Sequence, residues 1–589
     1  MTTTGTQVHA RFPYQDATLS IDQRVDDLIA RMDPADKAGM LFHMMVAVGE
    51  HSSGNSAFGI PSLVAMVRNR RMSHFNLLGE APSGREFAAW HNEAQRIAAE
   101  TGLGIPLTFS TDPRHAFTDN PGASILAGQF SQWPETLGFA AIGSPERLER
   151  FADVARQEYT AVGLRIALHP QIDLATEPRW SRISGTFGED ADLTSRLVVG
   201  YIRGFQGDEL GTDSVATMVK HFPGGGPQKD GEDPHFAYGR EQVYPGGAFD
   251  YHLKPFRAAI EAGATQMMPY YGMPVGTDME EVGFGFNKGV ITDLLREELG
   301  FDGIVCTDWG LLTDVTILGT PMPARAWGVE SLSREERMLK ALEAGVDQFG
   351  GELCTDVLLD LVAEGRVTED RLDQSVRRLL REKFTMGLFD DPFVDEERAE
   401  AVVGAADFLA EGLAAQSDSL TLLTNTDSLL PLSRGVRLYA EGIDVDKLGA
   451  YATVVESPDE ADVAILRIKA PFEERSGGFE AFFHAGSLEF PAVELERLTA
   501  IAEQVPTVID VYLDRPAVLG GLEESAAALM ADFGASDDAV LPVLFGERAP
   551  QGNLPFDLPR SMRAVEESRS DVAFDTADPT FRFGHGLRY

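Results

Sequence analysis

Between residues 106 and 350 short apolar runs recur, each ending in polar or aromatic residues and separated from the next by a helical stretch. Pro106-Leu-Thr-Phe-Ser110 leads into Thr111-Asp112, Leu164-Arg-Ile-Ala-Leu168 into His169-Pro-Gln-Ile-Asp173, and residues 215–219 into Lys220-His221. Residues 264–268 lead into Pro269-Tyr270-Tyr271, residues 304–306 into Thr307-Asp308-Trp309, and residues 344–347 into Gln348-Phe349-Gly350. Strands alternating with helices imply parallel βα units. Polar groups gathered at successive strand ends are the pattern of a (β/α)8-type, TIM-like barrel, whose catalytic face is built that way. A doubly wound sheet would keep such residues near one switch point, and no G-x-G-x-x-G opens a helix after an early strand.

The chain has 589 residues, too many for one ordinary core. Ser20-Ile-Asp-Gln23 has capping-box spacing, and Val25, Leu28, Ile29 and Met32 follow at helical intervals. A second helix is expected from Asp33-Pro34, with Leu41, Met44 and Met45 on its apolar side, and a third over 92–101. A charged helix over 370–381 carries Leu372, Val376, Leu379 and Leu380 on one face. We place the barrel domain at 1–390 and a linker with a helix at 391–417. A smaller α/β sandwich follows at 418–589, with strands over 420–423, 436–439, 463–468 and 507–512. Helices are expected there over 492–503 and 525–530.

Lys and Arg number 50 against 92 Asp and Glu, a net charge of −42. That field argues against nucleic-acid and anionic-membrane partners and favours neutral substrates. Cys306 and Cys354 are the only cysteines, each in an apolar stretch, so a disulfide framework and a Cys-based metal site are excluded. Met1-Thr-Thr-Thr-Gly-Thr-Gln7 lacks a basic and then apolar leader, and no run nears a membrane-spanning length. The expectation is a cytoplasmic protein; self-association stays open.

Several stretches could carry chemistry. Asp308 follows a buried strand directly and has an indole beside it in Trp309. It is either a solvated strand end or a nucleophilic carboxylate on a rigid support. Lys220-His221-Phe222-Pro223-Gly-Gly-Gly226 describes a basic pair at a strand end and a tight loop passing close to a ligand. Arg179 and Arg182 bracket Trp180, and guanidinium forks suit vicinal hydroxyls or carboxylates. Asp233 stands two residues before His235 and could orient it as a general acid/base, or the pair belongs to a polar loop. Glu473 and Glu474 follow the 463–468 strand, and matter only if the domains meet so that one reaches the barrel face. No H-E-x-x-H or His cluster suggests a metal, and no cofactor is expected.

Taken together, Glu177-Pro-Arg-Trp-Ser-Arg182, Phe187-Gly-Glu-Asp190, Lys220-His221-Phe222 and Thr307-Asp308-Trp309 resemble glycoside hydrolase family 3 in its two-domain form. In the second domain Thr421-Leu-Leu-Thr-Asn425, Leu430-Pro431-Leu432 and Phe583-Gly-His-Gly-Leu587 continue the likeness. The resemblance implies a retaining, exo-acting hydrolase of β-glucosides or small oligosaccharides. In it Asp308 matches the nucleophile, and Asp112, Arg182, Lys220, His221 and Tyr271 match groups that hold the terminal sugar, with Trp309 lining the same subsite. Glu474 matches the acid/base, with Glu473 as its competitor. Ser181 stands where the family commonly has Gly. One branch, the β-N-acetylglucosaminidases, uses an Asp-x-His dyad, which Asp233-Pro-His235 matches formally, although Gly225 replaces that branch's second His. A β-N-acetylhexosaminidase, a β-xylosidase and a silent sugar-binding protein remain the alternatives.

Overall fold

A computed structural model describes residues 12–56, 58–80, 83–113, 115–118, 126–317, 319–475 and 478–589. The N-terminal stretch read for a leader, and Ser476-Gly477 after the two glutamates, lie outside them.

Eight parallel strands form the first unit: β1 (Phe42–Ala47), β2 (His74–Leu78), β3 (Thr108–Thr111), β4 (Leu164–Ala167), β5 (Ala216–Phe222), β6 (Gln266–Pro269), β7 (Ile304–Val305) and β8 (Phe349–Gly350). Their order is β8-β1-β2-β3-β4-β5-β6-β7. A parallel bridge between Cys306 and Gln348 brings the two edges together, with Thr307 N donating to the Gln348 carbonyl at 2.9 Å. The sheet is thus a closed TIM-like barrel.

Period-2 alternation sorts the side chains. Ile166, Ala216, Met218, Met268 and Cys306 share a small apolar cluster inside the barrel with Met386 and Leu388. Val215, Val219, Val305 and Met267 belong instead to the main core around the barrel. The inward register of β5 therefore runs Ala216, Met218, Lys220, and that beyond β7 runs Cys306, Asp308. Apolar residues fill the barrel, and on β5 and β7 the next inward position, Lys220 or Asp308, is charged.

One expectation about this unit fails, and one of its strands lacks a signal in the sequence. Leu41, Met44 and Met45 are not on a helix: the helix ends at Met40 and β1 begins at Phe42. The short strand β2 was not anticipated. Its pattern is fully buried rather than alternating, as parallel strands covered on both faces are.

Helices Glu396–Val402 and Ala406–Ser419 lead to the second sheet. Its strands are β9 (Thr421–Asn425), β10 (Arg437–Glu441), β11 (Thr453–Val454), β12 (Val463–Lys469), β13 (Thr507–Tyr512) and β14 (Ala528–Asp532). They are ordered β9-β14-β13-β12-β10-β11, with only the β9–β14 pair antiparallel. The helix expected over 525–530 is β14, fully buried beside β13, where sheet pairing overrides the helix preference of Ala526-Ala527-Ala528. Among the described residues no helix is long and apolar enough to cross a membrane.

Candidate active site

Asp308 is 8% exposed and sits where the inward register of β7 leaves the barrel. Its Oδ1 accepts from Trp309 N at 2.8 Å, which fixes the carboxylate on its own turn. Its Oδ2 has no hydrogen-bond partner among the described residues and faces His221 Nε2 at 3.7 Å. The Tyr271 hydroxyl donates to the Trp309 carbonyl at 2.8 Å. Burial, then the Asp308 charge, push the Tyr271 phenol well above its usual range, so it stays a donor. The Trp309 indole lies over the backbone just after β8. A Cβ at Gly351, whose φ is +68°, would come within 2.6 Å of the ring.

Lys220 and His221 lie just before the last residue of β5 and are joined by a cis peptide bond. Lys220 Nζ pairs with Asp112, the residue after β3. His221 Nδ1 lies 2.8 Å from Asp173 Oδ2, and its ring packs on Tyr270 with centroids 4.8 Å apart. Burial holds the imidazole well below its ordinary pKa, helped by Arg182. The glycines of this loop meet protein. A Cβ at Gly226 would lie 1.9 Å from the Leu174 carbonyl, and one at Gly225 2.7 Å from the Tyr270 ring.

Arg182 stands over Tyr270 at 5.9 Å, and its Nη1 is buried without a partner among the described residues. Burial opposes its charge, but Tyr270, Asp233, Asp308 and Asp173 together raise its pKa. Arg179, by contrast, is occupied by Glu177 through bonds of 2.8 and 2.9 Å.

Asp233 and His235 form a real pair. Asp233 Oδ1 accepts from His235 N at 2.9 Å and lies 2.6 Å from Nδ1. Trp327 Nε1 donates to the Pro234 carbonyl at 2.8 Å and holds this loop down. The imidazole packs against Tyr271 at 4.6 Å, one ring away from Asp308. Burial lowers the His235 pKa against the pull of Asp233; Asp233 itself is lowered, its burial outweighed by His235.

The second domain reaches this mouth. Phe483 and Phe479 lie 5.0 and 5.9 Å from the His235 ring, and Arg475 donates to Glu232 at 2.9 and 3.0 Å. Glu473 is turned back onto its own loop, accepting from Ser487 N at 3.3 Å. Glu474 is exposed, and among the described residues no hydrogen bond or ion pair engages it.

Two protein-family descriptions match in sequence order: the N terminal domain of glycosyl hydrolase family 3 over residues 74–382 and its C-terminal domain over 446–589. The chain belongs to glycosyl hydrolase family 3. Among curated family 3 proteins, it is 54% identical over 583 residues to a probable beta-glucosidase C of Aspergillus flavus, covering 98% of this chain and 92% of that one. It is 42% identical over 601 residues to a periplasmic beta-glucosidase/beta-xylosidase of Dickeya chrysanthemi, covering 98% and 91%. Its fold matches that of a β-glucosidase from Erythrobacter marinus with a TM-score of 0.78 at 21% identity, over 98% of this chain and 84% of that one. A β-glucosidase from Listeria innocua in complex with isofagomine matches at 0.75 and 22%, over 96% and 83%.

The fold of this family 3 chain therefore gathers Asp112, Arg182, Lys220, His221, Tyr271, Asp308 and Trp309 around one barrel mouth, together with the Asp233–His235 pair. Sequence reasoning missed two members. Asp173 closes the strand-end segment His169–Asp173, and its place in that series was the available signal. Arg325 is buried, stacks over Tyr271 at 5.9 Å and has an unpartnered Nε among the described residues. It follows the antiparallel strands Val315–Ile317 and Thr320–Met322 and had no motif to mark it.

Proposed function

We propose that the chain is a β-glucosidase that removes a terminal non-reducing glucosyl unit from β-glucosides or oligosaccharides with retention. The family, and 54% identity over almost the whole chain to proteins bearing that name, support the activity. In this reading Asp308 is the nucleophile. The observation that carries it is the buried Asp308 carboxylate, held by Trp309 N through one oxygen and unengaged through the other. Attack by that free oxygen on the anomeric carbon forms the Asp308–C1 bond as the glycosidic C1–O bond breaks with its electron pair and the leaving oxygen takes a proton from the acid/base. Water, deprotonated by the same acid/base, then bonds to C1 and displaces the Asp308 oxygen, which leaves as the carboxylate.

Arg182 Nη1, Arg325 Nε, Lys220 and the neutral His221 offer fixed partners for sugar hydroxyls, and the Trp309 indole offers a wall for the ring. Glu474 is our acid/base, since its neighbours Glu473 and Arg475 are tied down and it is not. The preformed Asp233–His235 dyad, packed on Tyr271, favours a second reading in which His235 moves the proton. Because one relative is named for both glucoside and xyloside hydrolysis, xylosides belong among the substrates to be tried.

A panel of aryl β-glucoside, β-xyloside and β-N-acetylglucosaminide tests the assignment, with Asp308→Asn alongside. Turnover is expected to be highest on the glucoside and to fall at least about 10⁴-fold in Asp308→Asn. A folded Asp308→Asn variant with native rates would sink the nucleophile, and a preference for the N-acetylglucosaminide would sink the substrate.

A further inference from the structure

Arg515, just after β13, is among the largest side chains buried completely, at 1% exposure. Its partners are main-chain carbonyls. Nη2 donates to Pro471 at 2.7 Å, Ser487 at 3.0 Å and Ala485 at 3.1 Å, and Nη1 to Gly486 at 3.1 Å. The fifth bond, from Nη1 at 3.1 Å, goes to the Arg179 carbonyl of the barrel. One guanidinium thus grips Pro471 on one side of Glu474 and residues 485–487 on the other, and ties them to the barrel rim beside Arg182. Farther out, Arg475 bonds Glu232, and the Tyr238 hydroxyl bonds Glu480. Glu474 lies between these two anchors, three residues from a gripped carbonyl and next to Arg475. Gripping five carbonyls from two domains fixes a path as well as a contact, because a planar fork has few orientations that satisfy them all.

We infer that Arg515 is a positioning residue for leaving-group protonation, setting residues 471–475, and Glu474 among them, at a fixed place over the barrel mouth. This rests on the reading that the loop supplies the acid/base. In that step the proton passes from the Glu474 carboxyl to the glycosidic oxygen. The bond from C1 to that oxygen breaks with its electron pair, and the Asp308 oxygen bonds to C1. A leaving group that departs as a stable anion needs no such proton, whereas a poor one does.

The test is kcat/KM of the full chain over aryl glucosides graded from 2,4-dinitrophenyl to phenyl, for Arg515→Met, Arg515→Lys and Glu474→Ala. Gluconolactone binding by calorimetry monitors the sugar pocket. For Arg515→Met we expect a loss of about 100-fold on the phenyl glucoside and less than about threefold on the dinitrophenyl glucoside, with gluconolactone affinity kept. Arg515→Lys should fall between. A loss equal across leaving groups, no loss, or failure of both Arg515 variants to fold overturns the inference. If Glu474→Ala shows no leaving-group dependence, the loop-acid reading itself falls and takes this role with it. A steep Glu474→Ala series beside a flat Arg515→Met series removes the role of Arg515 alone.

Discussion

Asp173 grips His221 twice, with Oδ2 2.8 Å from the ring Nδ1 and Oδ1 3.2 Å from the main-chain N. Gly225 N donates to the same carboxylate. This network assigns the ring proton to Nδ1 and leaves Nε2 an acceptor, turned toward Asp308. A neutral imidazole of that tautomer can accept a hydrogen bond from a sugar hydroxyl while adding no charge next to Asp308.

Asp173→Asn should therefore cost activity more than stability. An amide cannot hold the same tautomer with the same strength, and losing one charge-assisted hydrogen bond is worth about 1.5–3 kcal/mol, or roughly 10- to 100-fold in kcat/KM. Steady-state kinetics beside a thermal melt would check this. Native kcat/KM in a folded variant would leave Asp173 a purely structural carboxylate.

Tyr271→Phe removes the donor to the Trp309 carbonyl and loosens the Asp308-Trp309 turn. A neutral hydrogen bond contributes about 1 kcal/mol, so kcat/KM should drop roughly fivefold. A drop confined to KM would place the effect in sugar binding rather than in the attacking carboxylate.

Azide separates the two proton donors, because it attacks the glycosyl-enzyme without a general base. On an activated glucoside, added azide should restore the Glu474→Ala rate and give the β-glucosyl azide, while His235→Ala should gain little. The reverse outcome would hand the role to the Asp233–His235 dyad.

Glu382 supplies a pH signature of the fold. Burial pushes its carboxyl from an ordinary 4.5 up to about 7, against a hydrogen bond of 2.6 Å from Gln266 Nε2. The folded state therefore prefers the protonated form. That stabilisation is complete below pH 4.5 and is lost as the pH rises through about 7, amounting to about 3 kcal/mol between those limits. Glu382→Gln lacks this loss, so its melting temperature relative to wild type should rise from pH 5 to pH 8. A constant difference across that range would contradict the shift.

Much of the site was legible because a barrel strand delivers every second residue inward. Lys220 two places after Met218, and Asp308 two places after Cys306, could be read from the chain. Short buried strands were harder: β2 spans only His74-Phe-Asn-Leu-Leu78, with its polar residues buried as deeply as its apolar ones, and β1 follows a helix after the single residue Leu41, so neither run was long enough for its pattern to mark a strand. Arg325 reaches the site only through tertiary folding of an irregular segment after two short antiparallel strands. The loop glycines at 224–226 signal a tight loop near a ligand but not its neighbours in the fold, where Gly225 and Gly226 give room to Tyr270 and Leu174. Whether Asp233 and His235 formed a dyad or an ordinary polar loop depended on burial, which Trp327 imposes from far along the chain.

The mouth assembled from both units has an evolutionary consequence. In the mechanism we propose, the carboxylate that attacks the sugar stands on a closed barrel, while the loop that meets what leaves is carried by a separate sheet. Substitutions in that loop can change which aglycones are accepted without disturbing the attacking group, so descendants of one ancestral barrel could diversify their diets by altering the second domain.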